Sequence, residues 1–242
     1  MQLTIHMSNT ERESTVLPHA YQHLIQGMLF NIWKEDPEFA AMLHAVNDDG
    51  GRIFRGFTFG TLQGRFVSQA KSVCYTNPIS LTIRTLNPLL IEKLIQGIRR
   101  QAHLYIGKNR MEVTHLQVSD RHIETDHIQI RMLTPITVYH TNDLKQTEFY
   151  RPDEKAFYDG IVRNAKRKFQ YYTGADYADH FCIIPLFQGL PKRMFTVYKG
   201  SYITTWFGQY ALSGSPEILD LLYQTGIGAK NAQGFGMFSD FQ

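Results

Sequence analysis

Ile79–Arg100, ISLTIRTLNPLLIEKLIQGIRR, is the stretch that decides the fold. Ile79, Leu81 and Ile83 alternate with polar residues, the period of a strand. After Asn87-Pro88 the apolar residues recur at Leu90, Leu94, Ile95 and Ile98, the period of a helix. Asn87 supplies a capping side chain and Pro88 a pre-set first turn, so the change of period is also a helix start. Downstream, Leu104–Ile106 is too short to assign, and Glu112–Val118 alternates as a further strand. Upstream, Leu3–Met7 alternates as a first strand. Leu17-Pro18 then opens a helix carrying Leu24, Ile25, Met28, Leu29, Ile32 and Trp33. Phe39–Val46 reads as a short helix, Asp48–Gly51 as a turn, and Phe57-Thr58-Phe59 with Arg65–Gln69 as a hairpin region. The order is β-α-β-β-α-β.

The same order repeats from His127. A strand through Ile128, Ile130 and Met132 is followed by a helix from Asp153 carrying Phe157, Ile161, Ala165 and Phe169. Phe181–Phe187 and Arg193–Thr205 read as strands, Pro216 opens a helix with Ile218, Leu219 and Leu222, and Phe235–Phe238 closes the sheet. Two successive units of this order define an α+β chain of two tandem ferredoxin-like (βαββαβ) domains, 1–122 and 123–242, joined near Ser119–Asp126.

The 242 residues, with 43% hydrophobic content, suffice for a real core. The formal charge of +3 is small, so an anionic partner would be held by local clusters of cations. Cys74 and Cys182 lie far apart in apolar, strand-like surroundings, which argues against a disulfide framework and fits a reducing cytoplasm. The chain begins at once on the alternating LTIHM, without a basic stretch leading an apolar one. No run approaches eighteen apolar residues, so neither secretion nor a membrane is expected.

The chemistry concentrates in a few places. In Gly226–Gln242, GIGAKNAQGFGMFSDFQ, Gly226, Gly228, Gly234 and Gly236 flank Lys230 and Asn231. Glycines that accept positive φ let turn amides face a phosphate, with Lys230 adding charge. The same glycines also suit a plain turn and a bulged edge strand. On the helix from Asp153, Arg163, Lys166, Arg167 and Gln170 share a face, with Lys168, Tyr171 and Tyr172 nearby. That face suits RNA phosphates, and equally a solvated helix whose charges complement its dipole. Lys192-Arg193 and Arg99-Arg100 are shorter clusters. His19 and His23 lack the adjacent Glu of a zinc helix, and the acidic residues form no compact set for two magnesium ions, so no metal and no cofactor is expected. His44 lies near a helix end with Arg52 and Arg55 behind it. This fits either a dipole-complementing histidine or an acid-base group beside cations.

Three blocks, Leu17–Trp33 (LPHAYQHLIQGMLFNIW), Leu43–Gly60 (LHAVNDDGGRIFRGFTFG) and Gly226–Phe238 (GIGAKNAQGFGMF), resemble the CRISPR repeat-cleaving endoribonucleases of the Cas-six family, in that family's order. The resemblance implies two ferredoxin-like domains and a glycine-rich RNA-binding loop in the second. It also implies metal-independent cleavage of CRISPR precursor RNA by 2′-hydroxyl attack, leaving 2′,3′-cyclic phosphate and 5′-hydroxyl ends. His44 matches the family histidine and would transfer a proton. Arg55, or its rival Arg52, would stabilise the charged transition state. These assignments put the catalytic residues in the first domain. They put RNA contacts at the glycine loop, Arg163, Lys166, Arg167, Lys192 and Arg193. Some members carry a tyrosine on the first helix where this chain has Phe30, which has no proton to give. Tyr21, His19 and His23 are secondary candidates, although Tyr21 lies about 13.5 Å of helix rise from Phe30. The departure keeps open a second reading, a guide-RNA-binding subunit without cleavage. The implied partners are precursor and mature guide RNA, with surveillance-complex subunits and a second copy of the chain as further candidates.

Overall fold

The computed structural model describes residues 1–44, 54–198 and 201–241. Contacts divide the chain into two compact units. The first is Met1–Gly56 with Thr61–Asp120, and the second is Phe57–Gly60 with Arg121–Gln242. No helix among the described residues is long and apolar enough to cross a membrane.

In chain order the N-terminal half carries β1 (Gln2–Asn9), β2 (Ser14–Pro18), α1 (Gln22–Trp33), α2 (Pro37–His44), β3 (Phe57–Phe59), β4 (Phe66–Ser68), β5 (Ser72–Thr76), β6 (Ile79–Thr85), α3 (Pro88–Arg100), β7 (Leu104–Ile106) and β8 (Asn109–Ser119). Within the first unit, β6, β1, β8 and β7 lie side by side in that order. Leu3, Ile5 and Met7 of β1 are wholly buried, while Gln2, Thr4 and His6 on the opposite face are half-buried, which is the period expected of a sheet with one covered face. α1 and α3 pack on each other. Trp33 Nε1 donates to Leu90 O at 3.3 Å, and Gly97 admits Ile32, whose carbonyl oxygen would lie 2.6 Å from any Cβ placed there. A separate sheet, β2-β5-β4, stands beside this core.

The second half carries β9 (His127–Met132), β10 (Tyr139–Thr141), β11 (Thr147–Phe149), α4 (Lys155–Thr173), β12 (Cys182–Pro185), β13 (Arg193–Tyr198), β14 (Ser201–Trp206), β15 (Gln209–Ser213), α5 (Pro216–Thr225) and β16 (Phe238–Phe241). The core sheet has the order β12-β15-β9-β16 with every pairing antiparallel, and β9, α4, β12, β15, α5 and β16 follow in chain order as β-α-β-β-α-β. The chain is thus α+β with tandem ferredoxin-like units. Phe157 and Ile161 of α4, Ile218, Leu219 and Leu222 of α5, and Ile130, Tyr210 and Phe238 of the sheet form one continuous core.

Several local readings change. Leu17-Pro18 ends a strand instead of opening a helix: Thr15 and Leu17 are buried beside β5, and α1 begins at Gln22. β4 pairs with β5 instead of forming a hairpin with β3. Leu104–Ile106 is a strand held by Met111, Arg110 and Asn109. Arg193–Thr205 is not one core strand but the hairpin β13–β14, a sheet of its own, and β15 takes the core position. The closing strand begins only at Phe238, because Phe235–Met237 is buried loop.

The helix start read from Asn87-Pro88 is present. Asn87 Oδ1 accepts the Leu89 N–H at 3.1 Å, with Pro88 in the first turn. Asn87→Ala removes that acceptor without touching the core, and should lower stability by about 1 kcal/mol in urea unfolding followed by circular dichroism.

Candidate nucleic-acid interface

The glycine-rich segment between α5 and β16 is organised by a buried cation. Lys168, on the inward side of α4 and 2% exposed, donates from Nζ to Gly226 O at 2.6 Å and to Asn231 Oδ1 at 2.7 Å. The Asn231 amide nitrogen donates in turn to Ile227 O at 3.1 Å and Phe235 O at 3.0 Å, so one side chain ties the two sides of the loop together. The N–H groups of Gly226, Gly234 and Gly236 donate to the carbonyls of Leu222, Asn231 and Pro135. These three amides are taken by protein carbonyls and are not turned toward an anion. All four glycines have φ between 73° and 86°. Gly234 and Gly236 are also required for close approach: a Cβ at Gly236 would collide with Ile227 O, and one at Gly234 would lie 2.5 Å from the Phe59 ring. Lys230, itself at φ 59°, holds its Nζ 5.0 Å from the Tyr139 ring centroid. The loop is therefore a stiff knuckle that carries Lys230, half-buried, on its outer side.

The cations of α4 fall into two groups. Lys168 points inward, as above. Arg163 and Arg167 are exposed and make no ion pair or hydrogen bond among the described residues, while Lys166 lies over the Tyr177 ring at 5.5 Å and donates to Asp179 O at 3.4 Å. With Gln170, whose amide is held by Asp176 at 2.7 Å, they line a groove of about 520 Å³. On the β13–β14 hairpin, the Arg193 guanidinium sits 4.1 Å from the Phe195 ring centroid, and Lys192 lies 5.8 Å from that of Phe207. Phe195 and Val197 are exposed along one strand, and Tyr202 on its partner is 75% exposed. The sequence reading found the two cations and missed the rings. An arginine-led aromatic strand too long for one core strand was the available signal.

In the first unit, Arg55 Nε donates to Leu43 O at 3.2 Å, and its guanidinium lies 5.5 Å from the Phe30 ring centroid. Leu43 precedes His44, the last residue of α2, so the chain brings Arg55 to the end of the helix that carries His44. The His44 side chain and Arg52 lie outside the described residues. Tyr21 is buried. Its hydroxyl lies 3.1 Å from that of Tyr75 and accepts the Leu62 N–H at 3.1 Å. Burial, with Tyr75 beside it, pushes the phenol far above its ordinary range, so it is fixed in the protonated state as a structural hydrogen-bonding group. His19 and His23 are exposed near the start of α1, bonded to Gln69 O and Ala20 O at 2.8 Å each. Among the described residues no three His, Cys, Asp or Glu side chains are grouped to hold a metal ion.

Two ferredoxin-like units, a locked glycine loop and exposed cations beside rings describe an RNA-binding class of protein. The family model for CRISPR associated protein Cas6, C-terminal, matches residues 116–239, and the chain belongs to that family. It is 25% identical over 231 residues to CRISPR-associated endoribonuclease Cas6 1 of Methanocaldococcus jannaschii, a match covering 92% of this chain and 87% of the relative. It is also 25% identical over 225 residues to CRISPR-associated endoribonuclease Cas6 of Pyrococcus furiosus, covering 91% and 82% respectively. A solved structure described as a RAMP protein binding different RNA substrates superposes with a TM-score of 0.87 at 19% identity, covering 100% of both chains.

Lys168→Met would keep the apolar stem and leave Gly226 O and Asn231 Oδ1 without their charged donor. It should cost about 2–3 kcal/mol in denaturant unfolding and speed amide hydrogen exchange across 226–236, whereas Lys166→Met should do neither.

Proposed function

We propose that this chain is an endoribonuclease that cuts CRISPR precursor RNA within its repeats, without a metal ion. Membership of the Cas6 family carries the reading. The cations and rings of the second unit support it by offering phosphate and base contacts of the kind RNA requires. In the reaction, a ribose 2′-oxygen loses its proton to a general base and forms a bond to the adjacent phosphorus. The bond to the 5′-oxygen breaks, and a general acid gives that oxygen a proton. The products are a 2′,3′-cyclic phosphate and a 5′-hydroxyl.

His44 is assigned to proton transfer. Arg55 is assigned to the charge that builds on the phosphate oxygens, with Arg52 as the rival position. What supports Arg55 is its anchorage to Leu43 O, which fixes a cation one residue from His44 along the chain. The ring at Phe30 packs against that same guanidinium. By the family resemblance Phe30 stands where some members carry a tyrosine, and here its ring supports the cation and has no hydroxyl to contribute. The same observation favours one second reading, in which the chain binds guide RNA and does not cut it.

A repeat RNA incubated with the protein in EDTA separates these readings. The wild type should cut, His44→Ala should be slowed by at least about 10²-fold, and Arg55→Ala by about 10²- to 10³-fold with RNA affinity largely kept. Tight binding without cutting by the wild type would support the second reading. Cutting abolished by EDTA would end the metal-free mechanism, and undiminished cutting by His44→Ala would remove that residue from it.

A further inference from the structure

From Gly50 to Ile91 the chain contains no Asp or Glu, while Arg52, Arg55, Arg65, Lys71 and Arg84 fall within the same stretch. Its most exposed part is the β4–β5 arm of the first unit, where every residue from Gln63 to Lys71 is exposed. β4 is an edge strand: it pairs with β5, and its other side has no strand partner among the described residues. Edge strands of this kind are ordinarily blunted by charge or kept short, and here the edge also displays a ring.

Phe66 is 60% exposed, yet its position is fixed from behind. Its ring centroid lies 5.5 Å from that of Tyr75, the residue directly opposite on β5, and Tyr75 in turn meets Tyr21 edge-on at 6.2 Å. Tyr75 and Tyr21 are both buried and share a hydroxyl contact of 3.1 Å. An aromatic row therefore runs from the start of α1 outward and ends in a ring open to solvent. The arm's tip is tied down as well: Gln69 N–H donates to Ser72 O at 2.8 Å, Ser72 Oγ donates to Gln69 Oε1 at 2.8 Å, and His19 Nε2 lies 2.8 Å from Gln69 O. Arg65 adjoins Phe66 and Lys71 lies at the tip. Neither side chain makes an ion pair or hydrogen bond among the described residues. Glu11 and Glu13 precede β2, which forms the opposite edge of the sheet from β4.

A rigid exposed ring between two unpaired cations, in a stretch free of carboxylates, matches unpaired nucleotides. A base stacks on the ring while its flanking phosphates meet the cations. A duplex would offer only its phosphates, since its bases are already stacked. We propose that the β4–β5 arm is a second RNA-contacting site, which takes a single-stranded segment of the substrate, stacks a base on Phe66 and holds the neighbouring phosphates with Arg65 and Lys71. The inference rests on the reading of the chain as a protein that binds and cuts repeat RNA.

The test uses fluorescence anisotropy with the full-length protein and two RNAs. One is a repeat RNA with its single-stranded flanks, and the other is the same RNA with the flanks sealed by complementary oligonucleotides. Phe66→Ala should weaken binding of the first about 5- to 20-fold and leave the second nearly unchanged, Phe66→Trp should bind the first at least as well as the wild type, and Lys71→Ala should reduce the salt slope of log Kd by about one. Equal affinities of wild type and Phe66→Ala for the single-stranded form would overturn the proposal, as would equal losses on both RNAs. Conversion of a dimer to a monomer by Phe66→Ala, seen by light scattering with RNA affinity unchanged, would assign the arm to a protein contact and also overturn it. The two readings fail separately. A wild type that neither prefers nor cuts repeat RNA defeats the proposed function, whereas a wild type that does both while Phe66→Ala binds alike defeats only this site.

Discussion

The second unit depends on an ammonium group taken out of water. A lysine as buried as Lys168 is tolerable only where oxygens replace its hydration, and here Gly226 O and Asn231 Oδ1 approach within 2.7 Å. Meeting that requirement fixes much else. The carbonyl of Gly226, just after α5, is directed at the Lys168 ammonium of α4, Asn231 turns its amide nitrogen toward Ile227 and Phe235, and the chain between them has to pass so close to itself that side chains are excluded. The glycines answer to the packing of a loop around a cation, and the external charge of the loop is left to Lys230.

That outcome shows what a sequence can and cannot disclose. The change of period at Asn87-Pro88 and the repeated β-α-β-β-α-β order were legible because they are local, carried by side-chain spacing that a sheet or helix must obey. The hairpin β13–β14 was not legible, since alternation gives a strand but not its partner. The real core strand, Gln209–Ser213, was hidden by having Tyr210, Ala211 and Leu212 buried in succession. At the site, clustering placed Arg163, Lys166, Arg167 and Gln170 on one helix face, and the structure leaves Arg163 and Arg167 exposed there. Helical spacing also set Lys168 off that face, but did not show that its ammonium is buried against the glycine loop, which only the fold discloses. The tyrosine hydroxyl at position 21 looked available for the same reason, and only the fold shows its protons and lone pairs already committed.

The first unit uses aromatic rings in two ways. At Phe30 a ring supports a guanidinium, so that Arg55 is held by a π-face and by the Leu43 carbonyl. At Tyr21 and Tyr75 the rings carry hydroxyls that satisfy one another inside the core, which allows a polar pair to be buried beneath the small sheet without loss. Both arrangements hold a side chain in a single orientation.

The strand Phe57–Phe59 has a consequence for how the molecule can be divided. It is read from the N-terminal half of the gene, but it packs with the glycine loop: Thr58 Oγ1 donates to Phe235 O at 3.4 Å, and the Phe59 ring fills the space beside Gly234. A C-terminal fragment made from the ferredoxin-like repeat alone would be synthesised without the piece that covers Phe235, leaving an apolar hollow at the knuckle. On the ribosome the order is reversed: this strand emerges long before its partners exist, and it has to wait, unpartnered by the loop, until Gly234 and Phe235 have been translated, the latter 177 residues after Thr58.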